Sequence, residues 1–269
     1  MGYEHIEVER EDHIATLWLN RPDKLNAMSS DMWEDIPKAM ASLDVDDSIR
    51  VVIVAGRGTA FSVGIDISML AGLQPEGDSP AEKSKQTYEI IKRLQGTNNS
   101  FANSPKPVIA AIHGYCIGQG INLVTACDIR LAAADALISL RETRMGLVAD
   151  VGVLQRLPSI VGAGHTAELA FTGKDITAQH AKDIGLVNRV FPNQDALMTG
   201  ARELAAEIAA NSPLVISGVK QVLAANRGRT IDQALDYVAR WNSAYLYSND
   251  LYEAIAAFTE KREPDFKGN

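Results

Sequence analysis

The chain has 269 residues, of which 46% are hydrophobic and 22% charged, with a formal net charge of −8. That length suits one large core, or a core with a helical appendage, and the negative balance argues against a nucleic-acid or anionic-membrane partner. Two cysteines, Cys116 and Cys127, imply no disulfide framework and fit a reducing cytoplasm, so a cytoplasmic location is expected. The opening "MGYEHIEVERED" carries no apolar signal core, no run has the length of a membrane span, and the five histidines lack metal-ligand spacing. No metal and no membrane contact are therefore expected.

In chain order, "IEVER" (6–10) and "HIATLWLN" (13–20) predict a strand hairpin. "RPDKLNAM" (21–28) has loop chemistry. Ser29 or Ser30 then caps a helix running to about 44, with Met32, Ile36, Met40 and Leu43 on one face. "VVIVAG" (51–56) and "PVIAAIHG" (107–114) are the wholly apolar runs of buried parallel strands. Between them lie a glycine-containing loop, a short helical piece, the polar break "QPEGDSP" and a helix over 80–103. That spacing predicts an α/β layer with a right-handed crossover. "IRLAAADA" (129–136) and "LVNRVF" (186–191) read as further strands. From about 196 the pattern is helical, in segments 196–210, 213–226, 230–247 and 249–262. The expected division is an α/β core over 1–195 and a helical packing or assembly region over 196–269.

Two stretches share one logic. "GRGTAFSVGIDISML" (56–70) and "GYCIGQGINL" (114–123) each follow a buried strand and pass through a glycine turn into a helix. The first turn of a helix leaves backbone N–H groups without internal acceptors, and two such groups converging on one oxygen make an oxyanion hole. Ordinary strand-to-helix turns would look the same at this level. In "SLRETRMGLVADVGVLQRLP" (139–158), Glu142 and Asp150 bracket an apolar loop. Carboxyls held against apolar walls have raised pKa values and can shuttle protons. Two structural readings stay open: Asp150 as the N-cap of the following helix, and Glu142 as a surface partner of Arg141 or Arg144.

Together these stretches resemble the crotonase, or enoyl-CoA hydratase/isomerase, superfamily. The resemblance runs from "HIATLWLNRPDKLNAM" to "AFTEKREPDFKG" and is most specific across "AFSVGIDISML", "CDIR" and "ADVGVLQRLP". It implies a spiral of β-β-α units, a helical C-terminal trimerisation region, assembly as a homotrimer or homohexamer, and an acyl-CoA thioester substrate with no other cofactor. Its oxyanion donors fall on the N–H groups of Ile65 and Gln119. Within the superfamily the chain is most similar to the Δ3,5-Δ2,4-dienoyl-CoA isomerases. Glu142 falls on the catalytic glutamate shared by hydratases and isomerases, and Asp150 on the isomerases' catalytic aspartate. Asn122 falls where hydratases carry glutamate and dienoyl isomerases aspartate. This departure cuts against simple hydration, because an amide is no acid or base near neutral pH. The resemblance thus implies dienoyl-CoA isomerisation. The alternatives are a hydratase or hydratase-lyase relying on Glu142 alone, and a weakly catalytic acyl-CoA binder. Arg21, Lys24 and Arg57 are candidates for the CoA phosphates, with Phe258 and Lys261 at the adenine end. His113 and the two cysteines read as structural.

Overall fold

The computed structural model describes residues 2–72 and 74–269. Its centre is a six-stranded sheet in the order β1 (Ile6–Glu11), β2 (Ile14–Leu19), β3 (Val51–Gly56), β4 (Val108–Ile112), β6 (Ile129–Ala133) and β9 (Arg189–Phe191). Within this sheet β1 and β2 pair antiparallel, with Ile6 opposite Leu19. The rest run parallel, in registers such as Ile14 with Val51 and Val52 with Val108. A second sheet holds the short strands β5 (Tyr115–Ile117), β7 (Leu137–Ser139) and β8 (Ile176–Thr177).

The apolar runs of β3 and β4 are explained by burial on both faces. Val52 and Val54 of β3, with Ala110 and Ile112 of β4, face a core closed by α1 (Ser30–Asp44) and the end of α3 (Pro80–Asn103). Their neighbours Val51, Ile53, Ile109 and Ala111 face the opposite layer, closed by Leu197, Ala201 and Ala205 of α7 (Gln194–Ala209). The period-2 alternation of a strand thus sends successive residues into two apolar layers. Helix α1 starts where Ser29 Oγ accepts the Met32 N–H. Helix α3 starts on a reciprocal capping box between Ser79 and Glu82, with Pro80 in its first turn.

The expected division at 195/196 cuts the core: α7 is one of its layers. Helices α8 (Pro213–Ala225), α9 (Ile231–Tyr245) and α10 (Asn249–Glu260) follow it, and Lys220 of α8 is bonded to Phe101 O, Lys106 O and Asp128 of the core. Buried Asp250 links α10 to the tail, accepting the N–H groups of Lys267 at 2.8 Å and Gly268 at 3.0 Å. Arg50 donates to Ala209 O and Phe266 O at 2.8 and 2.7 Å, clamping that tail to the core. Yet α9 buries no residue, and Ile231, Leu235, Tyr247, Ile255 and Phe258 stand exposed. The remaining elements are α2 (Ile67–Gly72), α4 (Gln119–Val124), α5 (Val153–Thr172) and α6 (Ala178–Asp183). Among the described residues no single helix is long and apolar enough to cross a membrane.

Candidate active site

The loops after β2, β3 and β4 leave the same edge of the sheet, at the carboxyl ends of parallel strands. In open α/β sheets that is where ligands bind. Asn26 ties two of these loops: its Oδ1 accepts from Arg21 N, and its Nδ2 donates to Arg57 O and Ala60 O, at 2.8–2.9 Å. The chain after β3 then runs beside β5. Ser62 N donates to Tyr115 O and Ile117 N donates to Ser62 O, both at 2.9 Å.

This pairing brings the two glycine turns together. Gly64 sits at φ 103° and Gly118 at φ 54°, a region where a side chain costs free energy. A Cβ on Gly64 would stand 3.1 Å from Ile117 O and 3.5 Å from Gln119 N, so the turns are in contact. Ile65 bridges Met28: Met28 N donates to Gly64 O and Asp66 N to Met28 O. Gln119 is the first residue of α4. Among the described residues neither the Ile65 nor the Gln119 N–H has a hydrogen-bond acceptor. Both residues line one cavity of about 700 Å³, which is within the usual range for small-ligand sites.

Asn122, Glu142 and Asp150 line the same cavity, with apolar walls from Trp33, Ile90 and Leu94. Glu142 opens a 3₁₀ turn, Glu142–Met145. Asn122, wholly buried, donates its Nδ2 to Glu142 Oε1 at 2.7 Å and to Gly118 O at 3.0 Å. Its Oδ1 accepts the Val153 N–H at 2.9 Å. Glu142 Oε2 is buried and unpartnered among the described residues. Burial pushes the Glu142 carboxyl up. Hydrogen bonds from its own backbone and from Asn122 oppose that rise, and the Asp150 charge adds to it. Asp150 keeps solvent contact at the rim, and desolvation there still pushes its carboxyl up.

Both structural readings of the acids fail. The N-cap of α5 is Gly152 rather than Asp150. Arg141 pairs with Asp175, while Arg144 donates to Thr172 O.

The basic candidates divide. Arg21 donates to Asp66 Oδ2 at 2.6 Å and to Ala27 O at 3.1 Å. Asp66 is held at about 2, by Ser68 first and Arg21 next. Arg57 is bonded to Glu7 and Glu9 and stacks 3.8 Å over the Trp18 ring. Both arginines already have anionic partners within the chain. Lys24 is exposed on a 3₁₀ turn next to Leu25, which lines the cavity. Phe258, 87% exposed, and Lys261 do not line the cavity of their own chain. His113 is buried with Nε2 3.0 Å from Gly58 O, and burial lowers its pKa. Sequence reasoning missed Gln95 and Asn98 of α3. Gln95 donates to Asp150 O at 2.7 Å and Asn98 to Val151 O at 2.9 Å.

Residues 9–269 match the enoyl-CoA hydratase/isomerase family. The chain belongs to that family. It is 42% identical over 271 residues to the peroxisomal Δ(3,5)-Δ(2,4)-dienoyl-CoA isomerase of Arabidopsis thaliana, covering 98% of both chains. It is 42% identical over 266 residues to the mitochondrial enzyme of that name from Homo sapiens, covering 97% of this chain and 81% of that one. Among solved structures, an enoyl-CoA hydratase from Bacillus anthracis superposes with a TM-score of 0.90 at 32% identity, covering 99% of this chain and 100% of that one. The fold is therefore crotonase-like. The expected cytoplasmic location is overturned by these relatives, which are named peroxisomal and mitochondrial. Cysteine count and acidic composition bear on redox chemistry and surface charge and do not identify a compartment.

Proposed function

We propose that the protein isomerises a 3,5-dienoyl-CoA to the 2,4-dienoyl-CoA through a conjugated thioester enolate. The observation that supports this most is the pairing of two proton-carrying carboxyls, Glu142 and Asp150, on one cavity with two free backbone N–H groups. Desolvation raises both acids, and the charge of one opposes ionisation of the other. One acid can then hold a proton while the other is a base, as an internal proton transfer requires. The ionised carboxyl takes a proton from C2, and the electron pair moves onto the thioester oxygen, between the Ile65 and Gln119 N–H groups. The protonated carboxyl delivers its proton to C6 as the electrons return, leaving double bonds at C2 and C4. Protons balance and no redox partner is needed. Relatives 41–42% identical and named for this reaction support the same reading.

Asn122 has both ends of its amide engaged and offers no second carboxylate to activate water. This places hydration second. Coenzyme A enters as the substrate thioester and no other cofactor is needed. Lys24 is the cation best placed for its phosphates. Phe258 and Lys261 serve a neighbouring subunit's site in a homotrimer or homohexamer, which also covers the exposed apolar residues of α9 and α10.

The test is turnover of 3,5-dienoyl-CoA and 2-enoyl-CoA by the native chain, Glu142→Gln and Asp150→Asn. Each substitution should cut dienoyl isomerisation by about two or more orders of magnitude. Asp150→Asn should leave any residual hydration nearly unchanged. If Asp150→Asn retains full dienoyl turnover, the isomerase reading fails and the Glu142-only hydratase replaces it. Retention of CoA esters without turnover of either substrate would leave a binding protein.

A further inference from the structure

Gln119 serves the proposed chemistry through its backbone, yet its side chain is buried and engaged. Gln119 Nε2 donates to Asn98 Oδ1 at 2.8 Å, and Asn98 Nδ2 lies 3.4 Å from Gln119 Oε1. The same Asn98 nitrogen donates to Val151 O at 2.9 Å, one residue after Asp150. One turn earlier on α3, Gln95 donates to Asp150 O at 2.7 Å. One turn of α3 therefore holds the residue that presents the oxyanion donor and the loop that carries an acid. Asn98 is wholly buried, and its amide cannot flip without setting its oxygen against Val151 O.

From this geometry we infer that Asn98 is a positioning residue that sets the spacing between the oxyanion hole and the Asp150 carboxyl, through a carboxamide clasp with Gln119. The inference rests on the isomerase reading of the site. Deprotonation next to the thioester and reprotonation at the far end of the diene need two fixed points a set distance apart. The 114–123 turn and the 147–152 loop are each bonded to one turn of α3. Helix α3, at 24 residues, is the rigid element touching both. A buried, fully paired amide network also specifies geometry in a way apolar packing does not. The polar contacts therefore have a purpose that a leucine–methionine pair of equal volume would not serve.

The test uses Asn98→Leu, Gln119→Met and the double variant in the full-length protein, with two readouts. The first is kcat and KM on 3,5-dienoyl-CoA. The second is the red shift of the absorption band of bound 2,4-dienoyl-CoA, which reports polarisation of the thioester carbonyl without requiring turnover. Each single substitution should lower kcat by about 10- to 100-fold, the scale of a small misplacement of reacting groups, while KM changes by less than about threefold. Each should also shrink the red shift. The double variant should be no worse than the poorer single, because both break one contact. Unchanged kcat and red shift in both singles would overturn the clasp. So would additive losses, or loss of folding in both, which would make the contact merely structural. A native protein that binds 2,4-dienoyl-CoA with a red shift but never isomerises the 3,5-diene would sink the proposed function instead, and the red-shift comparison would still decide the clasp.

Discussion

Replacing Asn122 by aspartate changes one nitrogen to oxygen and almost nothing else in size. In the native site Val153 N–H donates to Oδ1 at 2.9 Å, which fixes the end of the amide that is oxygen. Nδ2 therefore faces Glu142 Oε1 at 2.7 Å. An ionised aspartate would set an acceptor against that acceptor in a buried place. The charge-assisted bond lost is worth about 1.5–3 kcal/mol, and like-charge repulsion adds to it. Gly118 O would keep the backbone N–H of residue 122, at 3.2 Å. A protonated aspartic acid would instead donate O–H to Glu142 and remove the conflict. The folded state therefore raises the pKa of the new carboxyl above its unfolded value. Its stability contribution is present below the unfolded pKa, about 4, and is lost as pH climbs through the folded one. Asn122→Asp should match the native chain near about pH 4. It should melt roughly 4–8 °C lower near neutrality, for about 2 kcal/mol at 2–4 °C each. Parallel thermal or urea unfolding across that range measures the gap. A deficit that is equal at every pH, or absent throughout, refutes the assigned contact.

Three further outcomes follow from the same geometry. Gln119→Pro places proline at the first position of α4, where its fixed φ is tolerated, and deletes only the N–H from the backbone; it should lose about two to three orders of magnitude in kcat, well beyond Gln119→Met, and equal rates in the two would exclude the backbone donor. Because burial raises Glu142 and the Asp150 charge adds to the rise, the acid limb of the kcat/KM profile should lie above the ordinary carboxylate range; Asp150→Asn removes that like charge, so the limb of its residual activity should move to lower pH, and a stationary or rising limb would disprove the coupling. Deleting 230–269 uncovers the face of α8 on which α9 packs and should yield monomer or aggregate by light scattering; a monodisperse, fully active product would rule out the assembly role.

Long elements were legible because their signals repeat. The strand at 51–56 and the helix over 80–103 have the bounds read from sequence, the latter because Ser79, Pro80 and Glu82 announce its start. Strands β5, β7 and β8 are three, three and two residues long, too short for any period to register. Of these, β5 is the strand against which the 61–64 segment lies, through the Ser62–Cys116 bridge. The sequence suggested two glycine turns, but their contact came only from that unseen sheet. For α7 the helix was legible, but its assignment to an assembly region was not sound: the small residues Ala201 and Ala205 that let it lie on the sheet look the same in either setting. The acids stood out as residues, while Gln95 and Asn98 stayed silent because a polar residue on a long helix ordinarily faces water.

The second sheet also sets how the folded chain meets electrophiles. Cys116 lies in β5, directly behind the Gly118 turn, and Cys127 follows α4; both are buried, and burial pushes their thiols up, Cys127 to about 12. Thiolate is the species that reacts with peroxides and alkylating agents. Burial disfavours the thiolate of both, and the Cys116 sulfur stays enclosed while β5 is paired. Cysteine labelling therefore becomes a clock: modification of Cys116 can proceed only as fast as the strand beneath the oxyanion turn opens, so a thiol probe in excess reads the local opening of this site from a chain that carries no introduced label.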